Sequence, residues 1–388
     1  MTVRANPKLV DQLKRYGADD VSKCFHCGTC TATCPLSKEP FIFPRKSMRY
    51  LQMGLGDKLK GNLEPWLCYY CGDCSDQCPR DAQPGETMMS MRRWLTSRYD
   101  FTGLSRLFYE SKAAEILAIV VVGILSGIGF YLLGKSSGGD FGSYPGFIPA
   151  HNVEYLAELG WDVKSIVFVM AVFVLGLVTI NTARMWWFTT GRRKDLNISF
   201  GAYLKYAFVC LLHFFTQKRY SECDRKRPWA VHLILSLSFV TLFAVFLAHM
   251  ILQDNESIHT FLGPLASVTL IGAALFALNG RLNKTETHYK HSHHSDMNFL
   301  YVCLYVGLTG LMQHIAGRLG YGALANFMYI LHMMGAAPML LIQLPFTKWA
   351  HLAYRPYAMH LAAVQTEAIA RREEGVGDAA MIAQKQSA

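Results

Sequence analysis

The sequence predicts an all-α chain in two parts, a small polar helical head followed by a bundle of six membrane-spanning helices. Three observations predict it. Charged residues make up 17% of the 388 positions and apolar ones 52%, whereas a soluble globular chain carries about 25% charge. The shortfall is confined, because residues 113–351 hold nearly all the long apolar runs while residues 1–112 are polar and rich in Cys, Lys and Arg. The head shows no alternating apolar–polar pattern of the kind a half-buried strand needs. The expected division is a head over 1–112, a membrane domain over 113–355 and a polar tail over 356–388.

In the head, residues 1–22 read as a short helix leading into a first group of cysteines. A second helix is expected from Pro44 to Lys60, with proline at its start and Met48, Leu51, Leu55 and Leu59 at helical spacing. A third runs from Met88 to Tyr99. A span needs about 20 apolar residues, and six runs meet that length: 113–134, 163–188, 229–252, 259–280, 297–317 and 325–350. The segment 199–216 is apolar but contains Lys205 and has basic flanks, so it reads as a helix lying in the membrane interface, with a seventh span as the alternative.

Orientation follows from charge. Arg192, Arg193, Lys194, Lys205, Lys218, Arg219, Arg225, Lys226 and Arg227 crowd one loop, and Arg281, Lys284 and Lys290 another. The opposite loops carry Asp140, Glu154, Glu158 and Asp162. The positive-inside rule places the basic loops, the head and the tail in the cytoplasm, which predicts a multi-pass protein of the inner membrane. The net charge of +10 is explained by those loops, and a nucleic-acid partner is not expected. The start, MTVRANPKLV, lacks the apolar core of a secretory signal.

Eight of the eleven cysteines form two runs, CFHCGTCTATCP over 24–35 and CYYCGDCSDQCP over 68–79. Both follow C-x2-C-x2-C-x3-C-P. Three thiolates at this spacing fold around one face of a cubane, and in two-cluster ferredoxins the fourth cysteine of each run ligates the other cluster. Cys24, Cys27, Cys30 and Cys78 are therefore assigned to one [4Fe-4S] cluster, and Cys68, Cys71, Cys74 and Cys34 to the other. Structural zinc commonly uses separated pairs of ligands and fits two full four-Cys runs poorly. Cys210, Cys223 and Cys303 are isolated and read as packing or surface residues.

Ionisable residues inside a membrane are functional hypotheses by default. His232, His249, His314, His332 and His351 lie within spans or at their ends, at least two toward each face. Bis-histidine haem needs one imidazole from each of two helices. Depth pairs His232 with His351 on an inner haem b and His249 with His332 on an outer one, with His314 competing for the outer site. The separations along the helices are 17 and 19 residues, roughly 25 and 28 Å. At about 100° per residue of ideal helix, both outer histidines swing to the same flank, where a second haem can bridge them. The run HYKHSHH, with His288, His291, His293 and His294, reads as a solvated loop. His26, His151, His213, His259 and His360 receive no role.

With these motifs in hand, a resemblance is visible over residues 20–355. The head, from CFHCGTCTATCP through PRKSMRYLQMGLGD to WLCYYCGDCSDQCP and MMSMRRW, resembles the iron–sulfur C subunit of heterodisulfide reductases. The body resembles their membrane cytochrome b subunit and, more distantly, the gamma subunit of respiratory nitrate reductase. LHMMGAAPMLLIQLPFTKWAHLAYRP looks like the last haem helix of that family, with His332 and His351 matching its two histidines. Span three departs from the nitrate reductase pattern, whose two early histidines lie closer together. The fusion of the two parts resembles the C subunit of the quinone-interacting membrane-bound oxidoreductases of sulfate reducers. The resemblance implies a helical two-cluster ferredoxin-like domain fused to a six-span transmembrane cytochrome b bundle. It implies two soluble flavin and iron–sulfur partner subunits resembling the A subunit of heterodisulfide reductases, and adenylylsulfate reductase as electron acceptor.

The expected function is electron transfer between menaquinol in the lipid phase and soluble partners, as one subunit of a quinone-dependent oxidoreductase complex. The expected cofactors are two [4Fe-4S] clusters and two haem b, with menaquinone as substrate bound beside His314 and Arg318. The alternatives are a heterodisulfide reductase-linked membrane subunit and a non-catalytic anchor for soluble redox subunits.

Overall fold

The structure, a computed structural model, describes residues 4–136, 138–144, 163–252 and 256–386, excluding the side chains of 163–167, 249–252, 256–260 and 375–386. The described residues are helical throughout, with no strand among them. The head contains α1 (Leu9–Lys14), α2 (Thr29–Ala32), α3 (Arg45–Gln52), α4 (Gly56–Lys60), α5 (Glu64–Leu67), α6 (Asp73–Asp76) and α7 (Pro84–Tyr99). Then come α8 (Leu104–Glu110), α9 (Lys112–Ser136), α10 (Val163–Trp186), α11 (Phe200–Thr216), α12 (Lys226–Leu252), α13 (Glu256–Leu282), α14 (Thr287–Lys290) and α15 (His294–Arg318). The chain ends with α16 (Gly322–Pro338), α17 (Leu344–Phe346) and α18 (His351–Gln386).

The chain divides into two compact units that are not continuous in sequence. One comprises Met1–Phe101, Ile180–Lys226 and His351–Ala388, and the other Thr102–Thr179 and Arg227–Ala350. In the first, α7 is the central helix: Met88, Met91, Trp94, Leu95 and Tyr99 are buried on it, against Leu13, Tyr16, Met48, Leu51, Trp66 and Leu67. Pro84 stands in its first turn, where a missing N–H costs nothing. The expected single helix over 44–60 is two helices. Gly54 adopts φ 68° between them, because the chain crosses there: Asn6 N–H donates to Gly54 O at 2.8 Å, and a β-carbon on Gly54 would collide with the Asn6 backbone.

The 36-residue α18 is the main element that sequence reading missed. It packs on α11 and on the turn before it. Lys205 Nζ lies 2.7 Å from Glu367 Oε2, His360 Nδ1–H donates to Tyr206 O at 2.9 Å, and Gln365 Nε2–H donates to Thr189 O at 3.1 Å. The 17-residue α11 is shorter than the six helices that, among the described residues, are long and apolar enough to cross a membrane. Those six are Lys112–Ser136, Phe168–Gly191, Lys226–Ala248, Phe261–Leu282, His294–Arg318 and Gly322–Phe346.

In the second unit, small residues bring helices together, as lipid-embedded packing favours. A β-carbon on Gly123 would lie 2.6 Å from Met334 O, and one on Gly127 2.6 Å from Met334 Cγ, so α9 and α16 meet through a G-x-x-x-G face. Phe299, Leu300, Cys303, Val306, Met339 and Trp349 form the core between α15 and the end of the sixth span. That span is not the continuous helix expected over 325–350. It passes through a π-helical turn at Met339–Gln343, and leaves helical geometry at Thr347, with φ −125° and ψ −139°. Pro338 and Pro345 remove backbone donors on either side of the wide turn.

Candidate functional site

The two cysteine runs fold alike. His26 and Gly28 have φ of 60° and 96°, and their counterparts Tyr70 and Gly72 have 59° and 93°. The left-handed pair turns the backbone sharply enough for C-x2-C-x2-C to curl around a centre, and glycine takes the second position at no steric cost. Each loop then enters a single helical turn, α2 or α6, which carries Cys30 or Cys74. Backbone amides point at the sulfurs: His26 N–H donates to Cys24 Sγ, Tyr70 N–H to Cys68 Sγ and Ala82 N–H to Cys78 Sγ, each at 3.4 Å.

Cys24, Cys27, Cys30 and Cys78 line one cavity together with Phe25, His26, Arg45 and Arg80. Cys34 does not line it, and is instead in electrostatic contact with Cys68 and Cys71. Cys74 interacts with Cys68, Cys71 and Cys34, and also with Cys30, so the two sets adjoin. Among the described residues no group of three or more ligand-type side chains converges on a single metal ion.

The two sets differ in surroundings. Around the first, Cys27 is exposed, Phe25 is 68% exposed, and the Arg80 guanidinium lies 4.2 Å from the Phe25 ring centroid. In the second, Cys68, Cys71 and Cys74 are buried. Arg92 is buried and its charge acts on the Cys68 thiol, and its Nε–H donates to Pro65 O. Arg355 is buried too: its Nη2–H donates to Cys68 O at 2.6 Å, and its guanidinium lies 3.4 Å from the Tyr69 ring centroid. Arg92 Nη2 and Arg355 Nε have no hydrogen-bond partner. Two buried cations with unsatisfied donors need a nearby anion. A cubane with four thiolates is net negative, so the donor set and its electrostatics fit an iron–sulfur cluster.

A third segment covers this second set. Arg225 pairs with Asp76 and lies 3.5 Å from Asp73, Arg219 Nη2–H donates to Leu36 O at 2.8 Å, and Tyr69 stacks on Tyr220 at 4.6 Å. Fully buried Cys223 lies beside Cys71 and raises its thiol. Of the two kinds its isolated sequence position suggested, packing and surface, it is the first, and its neighbour is a cysteine of the second run. Cys303, by contrast, is a core residue. His213 is hydrogen-bonded to the Tyr69 hydroxyl, 2.9 Å from Nε2.

Burial pushes the Cys30 thiol up to about 11 and the Cys34 thiol up to about 12. Cys71 is raised by its contact with Cys223 and then by burial, and Cys68 and Cys74 are raised by burial. Burial and then the Arg355 charge push Arg92 down to about 9, which leaves it protonated at neutral pH.

The membrane histidines are placed as follows. His332 Nδ1–H donates to Val306 O at 3.1 Å, and the ring lies over Gly310, where a β-carbon would be 3.1 Å away. That bond fixes the tautomer and leaves Nε2 as the lone-pair nitrogen, as in metal-bound histidines. His314 is half-buried and Arg318 exposed near the end of α15. His232 is half-buried on α12 in one unit, and His351 begins α18 in the other. His249 lies on α12, with its side chain outside the described residues. The rotation argument linking His332 to His351 assumed one ideal helix, and the π turn and the break at Thr347 remove that assumption. The HYKHSHH run is not a solvated loop. His288 is 5% exposed, His293 accepts the Ser295 N–H at the start of α15, and His294 Nε2–H donates to Phe108 O at 2.9 Å.

Residues 20–82 match the family model of the 4Fe-4S dicluster domain. A protein of Archaeoglobus profundus described as like the C subunit of heterodisulfide reductase is 33% identical over 116 residues, 29% of this chain and 62% of that protein. The C subunit of the H(2):CoB-CoM heterodisulfide,ferredoxin reductase of Methanothermobacter thermautotrophicus is 34% identical over 57 residues, 15% of this chain and 31% of that protein. The iron–sulfur C subunit of the CoB–CoM heterodisulfide reductase of Methanopyrus kandleri is 40% identical over 47 residues, 12% of this chain and 24% of that protein. The chain thus spans less than two thirds of the length of these curated relatives. No solved structure matches it. The N-terminal part of this six-span chain carries an iron–sulfur dicluster domain.

Proposed function

We propose that the chain is a membrane electron-transfer subunit, working between menaquinol and soluble flavin and iron–sulfur subunits that resemble the A subunit of heterodisulfide reductases. Adenylylsulfate reductase is the proposed final acceptor. The observation that carries this reading is the pair of adjoining four-thiol sets, one open and one buried, on a chain with six apolar helices of spanning length. Cys24, Cys27, Cys30 and Cys78 hold one [4Fe-4S] cluster, and Cys34, Cys68, Cys71 and Cys74 the other; the sulfur neighbours described above support this crossed assignment. His232 with His351 holds an inner haem b, and His249 with His332 an outer one, for which His314 is the alternative. The Nδ1–Val306 bond, which orients His332, supports that role.

When bound, such groups supply one-electron carriers, so the two electrons of a quinol are delivered singly. The chain's own residues position and tune. The left-handed loop pairs aim the thiolates, the backbone amides and buried arginines neutralise their charge, and Pro35 and Pro79 turn the chain away. His314 and Arg318, at the end of α15 away from the basic loops, form the proposed quinone site, with His314 as proton acceptor. The head and tail face the cytoplasm of an inner membrane, a placement supported by the basic loops. Oxidising quinol on the outer face and moving electrons inward couples the reaction to the membrane potential, ~2.3 kcal/mol per charge per 100 mV.

The test is proton release from oriented vesicles on quinol addition: release to the outer side is expected, and none would overturn the outer quinone site. The names of the relatives favour a second reading, in which the chain serves a heterodisulfide reductase. The two readings are separated by which soluble subunits co-purify in gentle detergent.

A further inference from the structure

We propose that Arg92, Arg355 and Cys223 hold the cluster on Cys34, Cys68, Cys71 and Cys74 at a higher reduction potential than the cluster on Cys24, Cys27, Cys30 and Cys78. The proposal rests on the iron–sulfur reading above. Reduction adds one electron and no proton to a cluster, so its cost is the energy of one more negative charge at that place. Burial alone raises the cost at the Cys68 set. Three features oppose burial there. The Arg92 charge acts on Cys68 and Arg355 donates to the Cys68 carbonyl, and both guanidiniums are buried, with donors left over. Among the described residues neither has a carboxylate partner, so their charge is not spent on an ion pair. The one carboxylate closest to this set, Asp73, is offset by Arg225.

The third feature is Cys223. Once Cys71 is a thiolate ligand, the only hydrogen left between the two sulfurs is on Cys223, which then donates to Cys71. Donors to ligand sulfur raise cluster potentials. The open site has the Thr29 hydroxyl 3.4 Å from the Cys27 sulfur, but it has no buried cation. Arg45 and Arg80 line its cavity but are exposed, and water screens their charge. Arg355 sits four residues beyond His351 on α18, one turn further on the same face. The helix that starts at the candidate haem ligand therefore delivers a positive charge to the buried site and not to the open one.

The test is an EPR-monitored redox titration of the full chain in detergent, with dithionite as reductant. Cys27→Ser identifies which signal belongs to the open site. In the wild type, the signal retained in Cys27→Ser is expected at the higher midpoint. Arg355→Gln should lower that midpoint by at least tenfold in the reduction equilibrium, about 59 mV for one electron, and leave the other in place; Arg355→Lys should restore most of it. Cys223→Ala should lower the same midpoint by a smaller step, and decides the matter if Arg355→Gln fails to assemble. Equal midpoints in the wild type, no shift in Cys223→Ala, or a shift in the signal lost with Cys27→Ser would each overturn the proposal. Absence of iron and of any cluster signal in the wild type would instead overturn the iron–sulfur reading itself.

Discussion

Cys34 and Cys78 carry the proposed crossing, because Cys78 lines the cavity of Cys24, Cys27 and Cys30 and Cys34 neighbours Cys68 and Cys71. Cys34→Ser is expected to damage the site on Cys68, Cys71 and Cys74 and to spare the site on its sequence neighbours, as EPR of the reduced head would show. A loss confined to the Cys24, Cys27 and Cys30 site would refute the crossing. Thiol chemistry adds a pH dependence. Burial raises Cys30 and Cys34 to about 11 and about 12, above the ordinary 9.0, so these two thiols are neutral at pH 7 before they bind iron. Cluster assembly must then release protons. Reconstitution yield should rise with pH up to that range and fall in acid; a flat profile contradicts it. The two cysteine runs were legible because their spacing is local. Arg92, Arg355 and Cys223 were not, since they come from distant segments and carry no motif. Only the folded chain brings them to one set of sulfurs.

At the scale of elements, the six apolar runs were legible because a bilayer imposes length, while breaks and partners were not. The π turn at Met339–Gln343 and the departure at Thr347 leave no periodic signal. The long α18 hid because its buried face mixes polar residues, Arg355, His360 and Gln365, with apolar ones, Tyr354, Ala358, Leu361, Ala362 and Val364, and so gives no clean apolar stripe. Its partner α11 exposes Phe200, Leu204, Phe208, Leu211 and Phe215, a helical stripe suited to lying in lipid. A spin label at Phe208 should be accessible to a lipid-soluble relaxer, and one at Ala202, on the packed face, should not; equal accessibility contradicts the interfacial placement. The α9–α16 contact gives a stability prediction. Gly127→Leu drives a side chain into Met334 and should cost about 1–3 kcal/mol, read as a lowered unfolding midpoint in detergent. An unchanged midpoint would mean that the two helices do not meet there.

At the scale of the whole molecule, the dicluster unit is assembled from three separated stretches, two of which are contiguous with spans. The two cysteine runs and Arg92 lie on the first stretch, and Arg219, Tyr220, Cys223, Arg225 and Arg355, which also surround the buried set, lie on the other two. This explains how a head of ferredoxin size can hold one cluster open and one enclosed. The central claim is that the chain carries electrons between quinol and that head. Anaerobic addition of a menaquinol analogue to the purified chain in lipid vesicles, followed by optical and EPR spectra, tests it most directly. The account predicts b-type bands and reduced-cluster signals in the wild type. In His332→Ala, quinol should no longer produce the cluster signals, while dithionite still does. A wild-type chain with no b-type bands, whose clusters respond to dithionite but never to quinol, would contradict the account and leave the membrane part as an anchor.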